Sequence, residues 1–348
     1  MNKLKRTIIF IMLIMIIGVQ LSNNQCSTFA SILDRDGVNA GVLLFSFDNL
    51  YTSEMKKSLE NIEKNKPRIK YTFFSSENSL AKQNEVLDSL LRGNYKLLIL
   101  NLIIRDKDQL IDIINRGKQR NISLIIFDVN PSDLGKNIEL YDKIAFVTTD
   151  SKEAGALQGK IIVDKWNVDK SEIDRNNDNV LQYIALVGLP TSEISIERTN
   201  SAISTIEKAG IKTELLDQKT ASWDKELAKG AIESSLLKYD GRIEAIISNS
   251  DSMAIGAIEA LQRYGYNKDD KSKYISVVGI DGLQEAKGLV NNGIMTGTVS
   301  QDFNDIAGAI YNVGLSLVYN EAIPQNTNYK LINKNIVISE PYKIYTRK

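Results

Sequence analysis

Asp174-Arg-Asn-Asn-Asp-Asn-Val-Leu-Gln182, running directly into Tyr183-Ile-Ala-Leu-Val187, places oxygen-bearing side chains at positions 1, 3, 5 and 9 of a loop: Asp174, Asn176, Asp178 and Gln182. This is the spacing of an EF-hand-type calcium loop, in which position 7, here Val180, contributes only its backbone carbonyl. Position 6 is Asn179 in place of the usual glycine, and Asn is the residue that next most readily adopts a left-handed turn. The loop leads into an apolar strand and not into a second helix, so the motif belongs to an α/β chain.

The remainder of the composition narrows the chemistry. The 348 residues, 43% of them hydrophobic, suit two domains of ordinary size. Lys+Arg and Asp+Glu balance at 43 each, so no basic surplus points to nucleic acid. The chain has no histidine, which removes Ser-His-Asp and Cys-His nucleophilic systems and most catalytic zinc sites. Cys26 is the only cysteine and cannot form an intramolecular disulfide. Lys3, Lys5 and Arg6 precede an apolar run from Ile8 to Val19, the pattern of an export signal, and the run is short for a spanning helix. Cleavage, lipidation at Cys26 and retention as an anchor all stay open. Each puts the folded part, from near Val38, outside the cytoplasmic membrane, in the periplasm or at the cell surface.

From Val38 onward short apolar runs alternate with amphipathic segments. Strands are expected at Ala40–Phe47, Ile69–Phe74, Leu97–Leu100, Ser123–Phe127, Ile144–Thr148, Tyr183–Val187, Thr213–Leu216, Ala245–Ile247, Ile275–Ile280 and Thr296–Val299. Helical faces are set by Met55, Leu59 and Ile62 and by Leu80, Val86, Leu87 and Leu90–Leu91. Further helices are expected at Ala154–Val168, Ser195–Ala209, Lys225–Leu237, Met253–Tyr264 and Asp305–Tyr319. Asp150 with Glu153 reads as a capping box. Alternating strand and helix implies two doubly wound parallel sheets, with the chain switching from one to the other near Thr149-Asp150.

Open α/β sheets bind ligands beyond the carboxyl ends of their strands. The residues standing there are Asp48-Asn49, Asn101, Asp128, Thr191-Ser192, Asn249-Ser250, Asp281 and Gln301. Amides, hydroxyls and carboxylates of this kind suit a neutral polyhydroxyl ligand. They are also ordinary helix N-caps, so strand-to-helix loops collect them for structural reasons too. Tyr51 and Trp223 occupy comparable places, and aromatic faces pack on the C–H faces of sugar rings. No Gly-rich loop follows the first strand, which argues against a dinucleotide enzyme.

On these residues the chain resembles the bacterial glucose/galactose-binding proteins of the type I periplasmic binding protein superfamily, over about Gly41 to Ile338. Val147-Thr-Thr-Asp-Ser-Lys-Glu153, Gly210-Ile-Lys-Thr-Glu214, Trp223-Asp224, Asp251-Ser-Met-Ala-Ile-Gly-Ala-Ile-Glu-Ala260, Gly279-Ile-Asp281 and the calcium loop carry the resemblance. It implies a signal or anchor segment and linker at 1–37. A first lobe is implied from 38–149 with 302–338, and a second, calcium-bearing lobe from 150–301 with 339–348. It places Glu244 as the residue that closes the calcium site. It implies sugar contacts from Asn49, Tyr51, Asn101, Ser192, Arg198, Trp223, Ser250, Asp281 and Gln301. Several of these depart from the family pattern: Asn49 stands for Asp, Tyr51 for Phe, Ser192 for His, Ile194 for a second Asp, and Ser250 and Gln301 for Asn.

The expected function is binding of a glucose- or galactose-like monosaccharide between the lobes by a monomer, for delivery to an ABC transporter, with structural calcium. A sensing subunit for a membrane histidine kinase or chemoreceptor is the alternative. A sugar-responsive repressor would need a helix-turn-helix headpiece where the apolar segment stands. An enzyme would need catalytic groups that a chain without histidine and without a close pair of acids in the cleft does not offer.

Overall fold

Parallel strands covered on both faces read as unbroken apolar runs. The third strand, Leu-Leu-Ile-Leu-Asn at Leu97–Asn101, and the fourth, Ser123–Phe127, are buried at every position. The computed structural model of the chain describes residues 37–103, 107–129, 141–239, 241–268, 270–324, 329–332, 335–338 and 342–347. The export-like segment and Cys26 lie outside the described residues. Within them, no helix is long and apolar enough to cross a membrane.

Two sheets result. In chain order the strands of the first are β1 (Val38–Leu44), β2 (Ile69–Ser75), β3 (Leu97–Asn101), β4 (Ser123–Phe127) and β5 (Ile144–Thr148), with β11 (Tyr329–Ile332) and β12 (Asn335–Ile338) added late. Their spatial order is β11-β12-β5-β4-β3-β1-β2, parallel except for the β11–β12 pair. The second sheet holds β6 (Val180–Val187), β7 (Lys212–Thr220), β8 (Ala245–Ser248), β9 (Ser276–Asp281), β10 (Gly297–Gln301) and β13 (Tyr342–Thr346). Its order is β13-β10-β9-β8-β6-β7, with β13 alone antiparallel. These are two α/β lobes of the type I periplasmic binding protein architecture. The chain passes between them after β5, after β10 and after β12.

Alternation along each strand divides the side chains between two cores. Leu97 and Ile99 join Met55, Leu59 and the helix Phe303–Tyr319, while Leu98 and Leu100 face the helices Leu80–Arg92 and Lys107–Gln119. The second sheet is sandwiched likewise, with Ile246 and Val277 in one core and Ile247 and Val278 in the other.

The expected strands and helices are present with shifted ends. The first strand stops at Leu44, not Phe47, because the chain bends there toward Asn49, whose side chain caps the helix Leu50–Asn65. The seventh extends from the expected Thr213–Leu216 to Lys212–Thr220. It is an edge strand with no fully buried residue, so its polar ends carry no apolar signal. The helices Lys107–Gln119 and Gln284–Asn291 and the strands β11 to β13 were not anticipated element by element. Asp150 caps the helix Ser151–Val168 through a bond from the Glu153 N–H at 2.9 Å.

That helix approaches the helix Glu193–Lys208 closely through two glycines one turn apart. A Cβ on Gly155 would lie 2.2 Å from the Arg198 carbonyl oxygen, and one on Gly159 2.4 Å from that of Ala202. Gly155→Ala should therefore cost about 1–3 kcal/mol through overpacking, despite the better helix propensity of alanine. Gly230, on an exposed helix face with open space around it, is the control: Gly230→Ala should gain roughly 0.5–1 kcal/mol. Thermal denaturation of the two variants should move the melting temperature in opposite directions.

Candidate functional site

In both sheets the strand order reverses beside a central strand, between β1 and β3 in one and β6 and β8 in the other. Such switch points open a crevice at the strands' carboxyl ends. A cavity of about 300 Å³ lies there, lined from both lobes. Asn49, Tyr51, Asn101, Ser192, Arg198, Trp223, Ser250 and Asp281 all line it, together with Asp128 and Ile194. Gln301 does not. As the last residue of β10 it is still held in the sheet opposite Tyr342, and its Nε2 donates to Asp281 Oδ1 at 2.9 Å. It orients a cavity residue and is not itself part of the lining.

On the first-lobe side Asp128 is the hub. Its Oδ1 accepts from the Tyr51 hydroxyl at 3.1 Å and its Oδ2 from Asn101 Nδ2 at 3.1 Å. Burial pushes its carboxyl up from 3.8 to about 6, although Tyr51, Arg198 and Asn101 pull the other way. The Tyr51 ring packs on Phe303, with centroids 5.4 Å apart. Asn49 caps the helix Leu50–Asn65 and also crosses the cleft, its Nδ2 donating to the Trp223 carbonyl at 2.8 Å.

On the second-lobe side Arg198 Nη1 donates to the Asn249 carbonyl at 2.7 Å and stands 4.0 Å from Asp281 Oδ1. Its guanidinium lies 6.0 Å from the centroid of the Trp223 ring. Burial works against the charged guanidinium, but Tyr342, Asp281, Tyr51 and Asp128 together raise its pKa, so it stays cationic. Burial drives the Asp281 carboxyl well above the carboxylate range despite Arg198. Trp223 fits because Gly188 leaves room, since a Cβ there would come within 2.1 Å of the indole.

Two observations mark this cavity as a binding site. Asn101 Oδ1, Arg198 Nε and Asp281 Oδ2 are buried without a partner in the protein, three of nine such side-chain atoms among the described residues. Left-handed backbone also concentrates here, at Asn78 (φ 54°), Asp128 (φ 58°), Ser222 (φ 48°), Trp223 (φ 61°) and Asp281 (φ 133°). For a residue as bulky as Trp such a φ is strained, and strain of this kind persists where surrounding structure enforces it.

A model of the periplasmic binding protein domain family matches residues 40–322. The chain belongs to the periplasmic binding protein family. It is 32% identical over 303 residues to the D-galactose/methyl-galactoside binding periplasmic protein of Haemophilus influenzae, covering 87% of each chain. It is 28% identical to the D-allose-binding periplasmic protein of Escherichia coli, over 84% of this chain and 85% of that one. Among solved structures, a solute binding protein of an ABC transporter from Bacillus halodurans, with bound myo-inositol, shares the fold at a TM-score of 0.70. The two are 23% identical over 90% of this chain and 96% of that one.

The loop before β6 forms a second cluster away from the cavity. Asp174 accepts from the N–H groups of Asp178 (3.1 Å) and Asn179 (3.2 Å), and Asp178 accepts from the amides of Asn176 (3.0 Å) and Gln182 (2.8 Å). Glu244 closes the arrangement, accepting from the N–H groups of Arg175 at 2.8 Å and Gln182 at 3.2 Å. Asn179 adopts φ 63°, the left-handed turn that position 6 requires. Among the described residues no three His, Cys, Asp or Glu side chains form a metal centre by themselves. An ion here would need the amide and carbonyl oxygens of Asn176, Val180 and Gln182 as well. The oxygen-only donor set fits calcium.

The raised pKa of Asp128 has a definite sign. The folded protein holds this proton more tightly than the unfolded chain, so the stabilisation is complete below pH 3.8 and is lost as pH rises through about 6. Asp128→Asn lacks this term. Its melting temperature relative to wild type should climb between about pH 4 and about pH 7; a flat difference would show that Asp128 ionises normally.

Proposed function

We propose that this protein captures a monosaccharide in the interlobe cavity outside the cytoplasmic membrane and delivers it to the permease of an ABC transporter. The observation that carries the proposal is the set of buried, unpartnered polar atoms on Asn101, Arg198 and Asp281, from both lobes, in a cavity that also holds the Tyr51 and Trp223 rings. Vicinal hydroxyls donate and accept at once, which is what an amide oxygen, a guanidinium N–H and a carboxyl group in one cavity can satisfy together. Tyr51 and Trp223 supply apolar faces for the ring. The names of the relatives, which include galactose- and allose-binding proteins, support the same ligand class.

Groups contributed by both lobes couple binding to closure, since a ligand bridging them favours the closed arrangement. The Asn49–Trp223 bond lies on this bridge. Titration calorimetry against hexoses and pentoses should find at least one that binds. Asp281→Ala should weaken that sugar roughly 10- to 100-fold by loss of the hydrogen bonds of the buried carboxyl. No heat with any sugar would overturn the proposal.

We also propose that Asp174, Asn176, Asp178, the Val180 carbonyl, Gln182 and Glu244 hold a structural calcium ion. Asp174 and Glu244 are 1% and 2% exposed, and a divalent cation would add to the single positive charge that Lys170 brings to within 3.5 Å of Asp174. A chelator should lower the melting temperature of wild type by several degrees. It should leave Glu244→Gln, already destabilised, unmoved; an unchanged wild-type melting temperature would remove calcium from the account.

A further inference from the structure

Tyr342 opens β13 and is not among the residues that line the cavity, yet its contacts lead there. Its ring is buried in a second-lobe core with Ile280 and Val299. Its backbone stands opposite Gln301, the residue that braces Asp281. Its hydroxyl donates to Thr149 Oγ1 at 2.7 Å, and Thr149 is the first residue after β5, where the chain first leaves the first lobe. Burial raises the pKa of that hydroxyl, while Arg198 and Thr149, both bonded to it, pull the other way.

A neutral phenol donates one hydrogen bond and accepts others through the same oxygen. Here the donated bond goes to a crossing between the lobes, and the oxygen accepts from a guanidinium that faces the cavity. Arg198 has little else to fix it. Its Nη1 is committed to the Asn249 carbonyl and stands 4.0 Å from Asp281 Oδ1, and its Nε has no partner in the protein. The Tyr342 oxygen therefore helps decide where the guanidinium lies, and it is itself tied to the crossing.

We infer that Tyr342 is a positioning residue for the cavity: its hydroxyl sets the Arg198 guanidinium in place and makes that placement depend on the crossing at Thr149. The inference rests on the sugar-binding reading above. A sugar oxygen that accepts from Arg198 Nε holds the guanidinium more firmly, and the phenol passes that constraint on to Thr149. Neither Tyr342 nor Thr149 lines the cavity, so both act on affinity through Arg198.

Calorimetry on the full chain, with the hexose or pentose that binds wild type, tests it. Tyr342→Phe keeps the buried ring and removes the hydroxyl. It should weaken the sugar roughly 10-fold, the low end of what one hydrogen bond to a charged group contributes. Thr149→Val frees the phenol from the crossing but leaves it beside Arg198. It should weaken the sugar by a smaller factor and add nothing further when combined with Tyr342→Phe. A lowered melting temperature with an unchanged dissociation constant in Tyr342→Phe would mark a purely structural role and overturn the inference, leaving sugar binding standing. Independent losses that multiply in the double variant would overturn it too, since the hydroxyl would then be no bridge. If Tyr342→Phe does not fold, Thr149→Val alone decides, an unchanged dissociation constant counting against the inference. Silence of wild type with every sugar overturns the sugar reading and this inference with it.

Discussion

A guanidinium removed from water must be surrounded by acceptors and negative charge, or its desolvation destabilises the whole domain. Arg198, 7% exposed, meets that demand with the Asn249 carbonyl, Asp281 and the face of Trp223. Its own carbonyl sits where a Cβ on Gly155 would be, so the close packing of two helices positions the cation. Asp281 in turn is held by Gln301, and the loop after it by Asp251, whose Oδ2 accepts from the Leu283 N–H at 2.8 Å. One buried charge thus links helix packing, strand ends and the cavity.

The fold was legible because its strands are buried on both faces. Runs such as Leu97–Leu100 and Ile144–Thr148 state their environment directly. The ends of the edge strand β7 and the late strands β11 and β13 were not, since half-exposed edges dilute the apolar pattern with Lys, Thr and Glu. At the site, reading the residue past each strand led to Asn101, Asp128 and Asp281. That rule says where a residue stands but not what its side chain touches. It therefore treated Gln301 as a contact, although Gln301 braces Asp281, and it gave no special weight to Asp128, which joins Tyr51 to Asn101. Gly188 carried no signal at all, because its role is the space it leaves for an indole distant in sequence.

The Asx-rich loop and the cleft obey different constraints. In the loop, main-chain N–H groups already organise the carboxylates, so its geometry is local and its spacing readable. In the cleft the polar groups come from strand ends far apart in the chain, and their neighbours decide their behaviour.

The first and last passages between lobes are tied to each other as well as to the sheets. The Tyr342 hydroxyl donates to Thr149 Oγ1 at 2.7 Å, and Thr148 Oγ1 donates to Asn335 Oδ1 at 2.9 Å. Residues from the last stretch of chain thereby complete both sheets, β12 beside β5 and β13 beside β10. As a growing polypeptide emerges, neither sheet can finish its hydrogen-bonded edge until β12 and β13 are available. Pairings this distant in sequence are entropically slow to form. The placement of the last strands therefore makes completion of both sheet edges a late step in folding, a kinetic property written into the topology.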